Sequence, residues 1–306
     1  MYDMIIIGSG PAGLSAAVYG KRAGLQVLVL EKQPMSGGQV LTTYEVDNYL
    51  GLPGINGFDM GMKFKEHAQG LGAEFREAEV LEVKNHADRK LVVTDQGEYQ
   101  ARTLILATGA SHAKLAVPGE EELSGMGVSY CATCDGAFFK NRTVAVVGGG
   151  DVAVEDAIFL ARTCEKVYLI HRRDELRAAK ALQESLKTLE NVEILWSHRV
   201  EAIEGEEMTE ALQLVDLKTD TRTKLPVAGV FIAVGILPQT ELFEGLVKRN
   251  EAGYIVAGED GETDAEGIFA AGDCRTKKLR QIITAVADGA NAATSAAAYL
   301  AQKDFS

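Results

Sequence analysis

Two cysteines separated by two residues, Cys131 and Cys134, stand directly before an acidic residue, Asp135. This spacing lets one sulfur reach the other across a helical turn, and the unpaired amides of a first turn favour a thiolate. A neighbouring carboxyl group can move the proton that dithiol–disulfide exchange requires. The three residues therefore predict a reversible disulfide with its own acid.

A structural zinc half-site is the competing interpretation of this cysteine pair, and it needs two further ligands at metal-binding spacing. The other cysteines, Cys164 and Cys274, stand alone, and the 5 histidines have no Cys-x-x-Cys or His-x-x-x-His partner. The pattern favours redox chemistry, and we expect no metal site. We expect Cys274 to be a buried, inert thiol.

The composition limits the partners of this pair. The chain has 306 residues, enough for two domains, with 31 basic and 44 acidic residues and a formal net charge of −13. Such a charge argues against nucleic acid or an anionic membrane as a partner. The first apolar run, residues 4–7, is too short for a signal peptide or a membrane span. We expect a cytoplasmic protein, where a cysteine pair is more typical of catalysis than of structural stabilisation.

A glycine-rich motif for dinucleotide binding begins the chain, between a strand predicted over residues 2–7 and an alanine-rich helix that extends to about residue 23. The motif contains Gly8, Gly10, Pro11, Ala12 and Gly13. The first glycine permits a tight turn, the second lets the backbone approach a pyrophosphate, and the third allows close helix–strand packing. A second strand is predicted over residues 26–30, and Glu31 at its end is placed to accept a hydrogen bond from a ribose hydroxyl.

A second copy of the motif follows the cysteine pair, with strands predicted over residues 144–147 and 166–170. Its turn contains Gly148, Gly150 and Asp151. Where the first copy has an acid, this copy has His171, Arg172, Arg173 and Arg177. An acid would repel a 2′-phosphate, whereas guanidinium groups bind it through charge-assisted hydrogen bonds. The difference predicts NADPH, with a solvated basic start of a helix as the alternative.

A third segment, Gly272-Asp273, follows a short apolar strand and precedes a long alanine-rich helix that extends to about residue 300. Alone, Gly-Asp indicates only a turn. Together with the first motif it predicts a flavin site, where Asp273 would bind the ribityl chain or a bridging water and the helix N-terminus would face the ring. Alternating apolar residues between positions 78 and 102, and again between 192 and 230, predict a small antiparallel β layer in each half.

These motifs resemble the low-molecular-weight, FAD-dependent thioredoxin reductases of bacteria along essentially the whole chain. The matching segments are residues 8–13, 37–39, 107–109, 131–136, 148–153, 171–177, 272–273 and 280–282. The resemblance implies an α/β fold of two Rossmann-like, three-layer ββα domains. An NADPH domain, residues 116–244, would be inserted into a discontinuous FAD domain, residues 1–115 and 245–306. It also implies a homodimer and FAD and NADPH as cofactors.

The resemblance also implies roles for single residues. Cys134 would face the flavin, Cys131 would attack the disulfide of thioredoxin or a thioredoxin-like protein, and Asp135 would be the acid. Phe138 and Phe139 are similar to the family's docking residues for thioredoxin, with core packing as the alternative use. Beyond the first motif, the residues expected to hold FAD are Glu31, Gln39, Thr43, Asn48, Ala107, Thr108, Gly109, Gly272, Asp273, Arg280, Gln281 and Ile282.

The disulfide and the nicotinamide both need access to one flavin, so we expect the insert to rotate about connections near residues 114–118 and 238–243. Three other functions keep part of the pattern. A reductase serving a peroxidase or a glutaredoxin-like domain would use the same dithiol. A diaphorase-like flavoprotein serving ferredoxin or quinones would leave the cysteines idle, and a nucleotide-sensing regulator would bind FAD and NADPH without turnover.

Overall fold

The computed structural model describes residues 1–43, 45–46, 48–86 and 89–304, and the chain forms two units within them. The host unit consists of Met1–Ser111 and Leu237–Ser306, and the insert is His112–Ile236. The expected boundaries, after residues 115 and 244, lie further along the chain than these. Phe243 accounts for the second difference, because its side chain is buried in a core of the host unit.

The helices and strands follow in chain order. The first part of the host unit contains β1 (Tyr2–Ile7), α1 (Pro11–Arg22), β2 (Val27–Glu31), α2 (Gly57–Gly70), β3 (Glu74–Glu77), β4 (Val80–Asn85), β5 (Lys90–Thr94) and β6 (Gly97–Leu106). Next come β7 (Ala110–His112), β8 (Val128–Ser129), α3 (Ala132–Asp135), β9 (Thr143–Gly148), α4 (Asp151–Leu160), β10 (Lys166–His171), α5 (Lys180–Lys187) and β11 (Val192–Trp196). The remaining elements are β12 (His198–Glu204), β13 (Ala211–Asp216), β14 (Arg222–Pro226), β15 (Gly229–Ala233), β16 (Ile236–Pro238), β17 (Ile268–Ala270) and α6 (Ile282–Asp304). Single turns of 3-10 helix lie at Gly38–Thr42, Gly136–Phe139, Glu241–Phe243 and Gly272–Cys274.

The host unit is built on one mixed sheet in the order β3-β2-β1-β6-β5-β4, with β17 also paired to β6. Strand β6 changes partners at Ala101, which is opposite Tyr2 in the parallel β1 and opposite Lys90 in the antiparallel β5. The antiparallel layer expected between residues 78 and 102 is therefore a continuation of the parallel sheet. Strand β1 lies in the middle of this sheet, which explains why its last four residues are buried.

Small residues let two helices of the host unit approach each other closely. Ala12 and Ala16 on α1 and Ala292 and Ala296 on α6 share one buried cluster. A Cβ atom at Gly289 would lie 2.0 Å from the carbonyl oxygen of Ala12, so the two backbones nearly touch. The alanine-rich composition of both helices thus supports the first glycine motif, which lies at the start of α1.

The insert repeats the design with two separate sheets. Its parallel sheet has the order β11-β10-β9-β15-β8, and its antiparallel meander has the order β12-β13-β14. The meander expected between residues 192 and 230 is present, but β11 belongs to the parallel sheet through its pairing with β10. The core between α4 and the parallel sheet includes Val146, Val154, Leu169 and Phe231.

The two chain connections between host unit and insert pair with each other through β7 and β16. On the insert side, the Ala113 amide donates to the Gly235 carbonyl at 3.0 Å, and on the host side the Gln239 amide donates to the Gly109 carbonyl at 3.0 Å. No helix in the described part of the chain has the length and apolar character that crossing a membrane requires.

A buried carboxylate fastens the first connection to the body of the insert. The Glu120 side chain, 1% exposed, accepts hydrogen bonds from the backbone amides of Leu115 at 3.0 Å and Ala116 at 2.7 Å. It also accepts from the hydroxyl of Tyr130 at 2.8 Å, one residue before Cys131. Residues 115 and 116 are therefore bonded to the strand–helix segment that carries the cysteine pair.

Candidate active site

Cys131 and Cys134 form a disulfide, as the spacing predicts, with a Cα–Cα distance of 5.3 Å. Strand β8 ends at Ser129, and Cys131 is the N-terminal capping residue of the short helix α3. The carbonyl oxygen of Cys131 accepts from the amides of Cys134 at 3.2 Å and Asp135 at 3.1 Å. One helical turn thus holds both sulfurs and the acid.

Asp135 lies next to a hydroxyl group that the sequence reasoning did not identify. The Ser129 hydroxyl donates to Oδ2 of Asp135 at 2.5 Å and accepts from the Cys131 amide at 3.1 Å. Burial raises the pKa of Asp135, and the hydrogen bond from Ser129 opposes that rise. A serine two residues before a Cys-x-x-Cys, at the end of a buried strand, is the sequence signal that would have indicated this contact.

The two phenylalanines after the redox turn point to different environments. Phe138 is 43% exposed, whereas Phe139 is 6% exposed and packs edge-on against Phe231 with ring centroids 5.3 Å apart. Of the two uses considered for these aromatics, core packing applies to Phe139, because the 3-10 helix turns its ring into the core of the insert. Of the two rings, that of Phe138 is exposed at the surface, shortly after the redox turn in the chain.

The first glycine motif has the close packing that its residues predict. Gly8 has a φ of 103°, which a side chain would disfavour, and a Cβ at Gly13 would lie 1.9 Å from the Gly8 carbonyl oxygen. In contrast, no described atom lies within 4 Å of the position that a Cβ would take at Gly10. Pro11 and Ala12 continue from this open position into α1, whose first amides have no helical partner. The motif therefore leaves a cradle that fits a pyrophosphate.

Glu31 lies at the end of β2, beside the turn of the first motif. Its Oε2 accepts from the amide of Ser9 at 2.9 Å and from the Ser9 hydroxyl at 2.8 Å, and its Oε1 accepts from the Gln33 amide at 3.0 Å. The carboxylate thus braces the glycine turn and stays partly exposed. Its remaining lone pairs are suited to a ribose hydroxyl.

Two buried polar atoms, one in the Gly272-Asp273 turn and one on Arg280, have no hydrogen-bond partner among the described residues. Both Oδ1 of Asp273 and Nε of Arg280 are buried without a hydrogen-bond partner in the described part of the chain. Burial raises the pKa of Asp273, while Lys277 and Arg280 lower it. The Arg280 guanidinium lies over the ring of Tyr254, 4.2 Å from its centroid. Orphaned buried polar atoms are costly, and a flavin with its polar ribityl chain fits this place.

A buried charge cluster behind this turn was not identified from the sequence. Asp288 on α6 accepts from the Gly272 amide at 3.0 Å and forms ion pairs with Arg275 at 2.5 Å and Lys277 at 2.8 Å. An acid within an otherwise alanine-rich helix is the signal that would have indicated it. The cluster fixes the backbone that presents Asp273.

Other expected flavin residues lie in the host unit with these contacts. The Gln39 amide donates to the Ala110 carbonyl, and the Asn48 amide donates to the Gln281 side chain at 3.0 Å. The Thr108 hydroxyl donates to the Gln239 carbonyl at 2.5 Å. For the other expected flavin residues, the structure shows backbone contacts, a backbone angle or a helix start. The Thr43 carbonyl accepts from Gly57, the Ala107 amide donates to Ile7, Gly109 has a φ of 71°, and Ile282 begins α6.

Cys274 lies in the core behind the Gly272-Asp273 turn. Its thiol is fully buried, donates to the carbonyls of Leu106 and Ala271 at 3.3 Å, and has a pKa raised by burial to about 11. Such a thiol is protonated at neutral pH and unreactive, as expected. Within the described residues, no three His, Cys, Asp or Glu side chains come together as a metal site.

The second glycine motif places its basic residues in two environments. His171 is buried, its Nε2 lies 3.0 Å from the Glu175 carbonyl oxygen, and burial lowers its pKa. Its ring packs on Gly149, where a Cβ would lie 2.2 Å away. The arginines, by contrast, are exposed and enter none of the ion pairs found among the described residues; they are Arg172, Arg173 and Arg177.

The turn of this second motif is open at the same place as the first. No described atom lies within 4 Å of the Cβ position at Gly150, whereas a Cβ at Gly148 would lie 2.4 Å from the Ala233 carbonyl oxygen. Asp151 begins α4 and accepts from the Ala179 amide at 2.7 Å. The cradle at Gly150 and the exposed arginines lie in the same unit and fit a phosphorylated dinucleotide.

Comparison with known proteins identifies relatives along nearly the full chain. The sequence profile described as "Pyridine nucleotide-disulphide oxidoreductase" matches residues 2–289. A thioredoxin reductase of Listeria innocua is 47% identical over 302 residues, which cover 98% of this chain and 94% of that protein. A thioredoxin reductase of Bacillus subtilis is 47% identical over 301 residues, covering 98% and 95%. The crystal structure of thioredoxin reductase from Streptococcus pyogenes matches with a TM-score of 0.94 and 42% identity over 99% of both chains.

Proposed function

We propose that this chain, which belongs to the pyridine nucleotide-disulphide oxidoreductase family, reduces thioredoxin with electrons that pass from NADPH through FAD and the Cys131–Cys134 disulfide. The observation that carries the proposal is the disulfide closed on one helical turn with Asp135, in a chain with two dinucleotide cradles. The similarity to thioredoxin reductases over nearly the full chain supports the choice of acceptor.

In this proposal the host unit binds FAD and the insert binds NADPH. Bound FAD would supply two-electron transfer between a nicotinamide and a disulfide. The Gly10 cradle and the first amides of α1 would bind its pyrophosphate, and Glu31 its ribose. The orphaned Oδ1 of Asp273 would accept from the ribityl chain. The residues for which flavin contact is proposed by resemblance are Gln39, Thr43, Asn48, Ala107, Thr108, Gly109, Arg280, Gln281 and Ile282.

The insert would select NADPH through its exposed arginines. Arg172, Arg173 and Arg177 carry charge without an acidic partner among the described residues, so they can pair with a 2′-phosphate. His171, buried below Gly149, would support the backbone of this cradle and hold the arginines at its edge. Gly148, Gly150 and Asp151 would form the turn that faces the pyrophosphate.

The cysteines and Asp135 perform the exchange step. Two electrons and two protons convert the disulfide to two thiols. The Cys131 thiolate then attacks one sulfur of oxidised thioredoxin, and the departing thioredoxin thiolate takes a proton. The Cys134 thiolate attacks Cys131 Sγ, which closes the ring again and releases reduced thioredoxin. Asp135, whose pKa is raised by burial, can give or take a proton in these steps.

Two further parts of the proposal concern the protein's surroundings. A homodimer is proposed from the resemblance to bacterial thioredoxin reductases. A cytoplasmic location is proposed because a reducing compartment keeps a catalytic dithiol in use. Exposed Phe138, in the 3-10 helix that follows the redox turn, is proposed as a contact for thioredoxin.

NADPH-dependent reduction of thioredoxin by the flavin-loaded protein tests the function. Cys134→Ala should lower thioredoxin turnover by at least about 1,000-fold, since no ring can form without its sulfur. Cys164→Ala is the matched control, because Cys164 is a buried free thiol in the same unit. Full turnover by Cys134→Ala would refute the electron path. If NADPH reduces the flavin but thioredoxin is not reduced, the acceptor is wrong and a peroxidase-type protein becomes the next to assay.

A further inference from the structure

The Ser129 hydroxyl lies between the acid and the first cysteine of the redox ring. Its oxygen is 2.5 Å from Oδ2 of Asp135, 3.1 Å from the Cys131 amide nitrogen and 3.4 Å from the Cys131 carbonyl oxygen. Ser129 is 6% exposed, so bulk water has little access to replace any of these contacts. The hydroxyl is therefore the link between the Asp135 side chain and the backbone of Cys131.

A hydroxyl group has one hydrogen to donate and two lone pairs to accept with. When Asp135 is ionised, the Ser129 hydrogen points to its carboxylate and one lone pair accepts from the Cys131 amide. When Asp135 is protonated, the carboxyl can donate to the second lone pair. The Ser129 hydrogen is then free to turn to the Cys131 carbonyl oxygen. Every polar group of the set has a partner in both protonation states.

Charged groups near Asp135 would lie on the elements next to it, namely α4, the 3-10 helix Gly136–Phe139 and β8. Helix α4 packs against α3 and carries the acids Asp151, Glu155 and Asp156, and burial raises the pKa of Asp156 to about 7. The 3-10 helix Gly136–Phe139 and strand β8 carry no charged side chain. Burial is the largest influence on the Asp135 pKa, and Ser129 is the hydrogen-bond partner that acts against it. No cation among these elements shares the task with Ser129.

We propose that Ser129 is a positioning residue for the exchange reaction: its hydroxyl holds the Asp135 carboxyl group against the Cys131 end of the ring whether that carboxyl is protonated or ionised. This inference rests on the proposed function, in which Asp135 moves protons for the dithiol. A hydroxyl with two orientations lets the proton come and go without leaving a buried polar group unpaired, which would be costly. Among the described residues, Ser129 is hydrogen-bonded to the Asp135 carboxyl group and to the Cys131 backbone, and none of these bonds involves a cysteine sulfur.

The direct test is the pKa of Asp135, measured by NMR on flavin-loaded, oxidised protein with ¹³C-labelled aspartate carboxyls. Asp135→Asn identifies the resonance. Ser129→Ala should raise the titration midpoint by about one unit, since a hydrogen bond to a charged group is lost. Ser129→Thr keeps the hydroxyl and should titrate as the wild type does. Ser185→Ala, which removes a hydroxyl bonded only to a helix carbonyl, should cause no shift.

A kinetic measurement accompanies the titration. Ser129→Ala should lower kcat for thioredoxin about tenfold near neutral pH with an unchanged KM, and shift the ionisation in the kcat–pH profile upward by the same unit. Ser129→Thr should restore both. An Asp135 midpoint in Ser129→Ala equal to that of the wild type would overturn the inference. The titration needs neither NADPH nor thioredoxin, so a wrong acceptor would leave its result intact and the two failures are distinguishable.

Discussion

The first and second glycine motifs have the same strand–turn–helix plan but differ in the residue that ends the second strand. In the host unit that residue is Glu31, whose carboxylate accepts from the backbone and hydroxyl of Ser9. In the insert it is His171, which is buried below Gly149 and bonded to the Glu175 carbonyl. One motif thus presents an anion at its turn, while the other buries an imidazole and presents arginines beside it.

This difference separates what builds a cradle from what selects its ligand. In both motifs the second glycine faces open space and the first glycine is pressed against a neighbouring strand. Gly10 and Gly150 are therefore interchangeable in role, whereas Glu31 and the group His171 to Arg177 are not. The third position also differs, because Gly13 touches the Gly8 carbonyl while Ala153 accommodates a methyl group in the insert. The open second glycine is common to both motifs, whereas the third position and the charge at the end of the second strand distinguish them.

We expect the largest effect from a substitution at the third position of the first glycine motif, Gly13. Gly13→Ala would place a methyl group 1.9 Å from the Gly8 carbonyl oxygen, a backbone clash that forces α1 away from β1. We expect the free energy of unfolding to fall by about 3 kcal/mol and bound flavin to be lost. Urea denaturation and the flavin absorbance of the purified protein measure both. The matched change is Ala153→Gly, expected to cost only about 1 kcal/mol. Equal losses in the two variants would contradict a difference in helix–strand packing.

We expect an intermediate effect from substitutions of the three exposed arginines of the second motif, which test whether this motif selects a 2′-phosphate. Alanine at Arg172, Arg173 or Arg177 should raise the KM for NADPH about tenfold per residue and leave the KM for NADH unchanged, because each removes a charge-assisted hydrogen bond to the 2′-phosphate. Steady-state kinetics with both nucleotides provides the measurement. Arg222→Ala, which breaks an ion pair with Glu201 elsewhere in the insert, is the control. Equal increases in the KM for NADPH and the KM for NADH would show that the arginines do not bind the 2′-phosphate.

The buried imidazole gives the smallest effect. Burial lowers the pKa of His171, so below its unfolded value of about 6.5 the unfolded chain binds a proton that the folded chain excludes. The free energy of unfolding should therefore decrease as the pH falls through that value. His171→Gln should make this decrease shallower, as measured by urea denaturation at a series of pH values. His112, half-buried and with a pKa lowered by burial, adds to the same dependence and remains in the variant. A slope unchanged by His171→Gln would mean that the ring titrates normally.

Features determined by local sequence were predictable. The strand expected over residues 2–7 is β1, and the strand expected over 166–170 ends one residue later as β10. Their apolar runs end at glycine turns or charged residues, which mark boundaries in any fold. The redox disulfide was predictable for the same reason, because both sulfurs lie within one helical turn.

Features determined by packing between distant segments were not predictable. Asp288 and its partners Arg275 and Lys277 come together only when α6 lies behind the Gly272-Asp273 turn. The switch of partners by β6 at Ala101 occurs only when the first strand of the chain, β1, lies beside β6 in the same sheet as β5. The different burial of Phe138 and Phe139 was also not predictable, because it depends on how the 3-10 helix Gly136–Phe139 is oriented against the core of the insert. These contacts can be identified only from the folded structure, because no periodic pattern in the sequence indicates which distant residues meet.

The paired connections have a consequence for how such a chain can arise and be divided. Because Ala113 and Gly235 are hydrogen-bonded, the insert begins and ends at one place, and Glu120 keeps its first residues folded onto it. The host side is likewise closed between Gly109 and Gln239. The coding segment of the insert could therefore be added to or removed from the gene for the host unit at a single position. After removal, a short loop would be enough to join the two parts of the host unit.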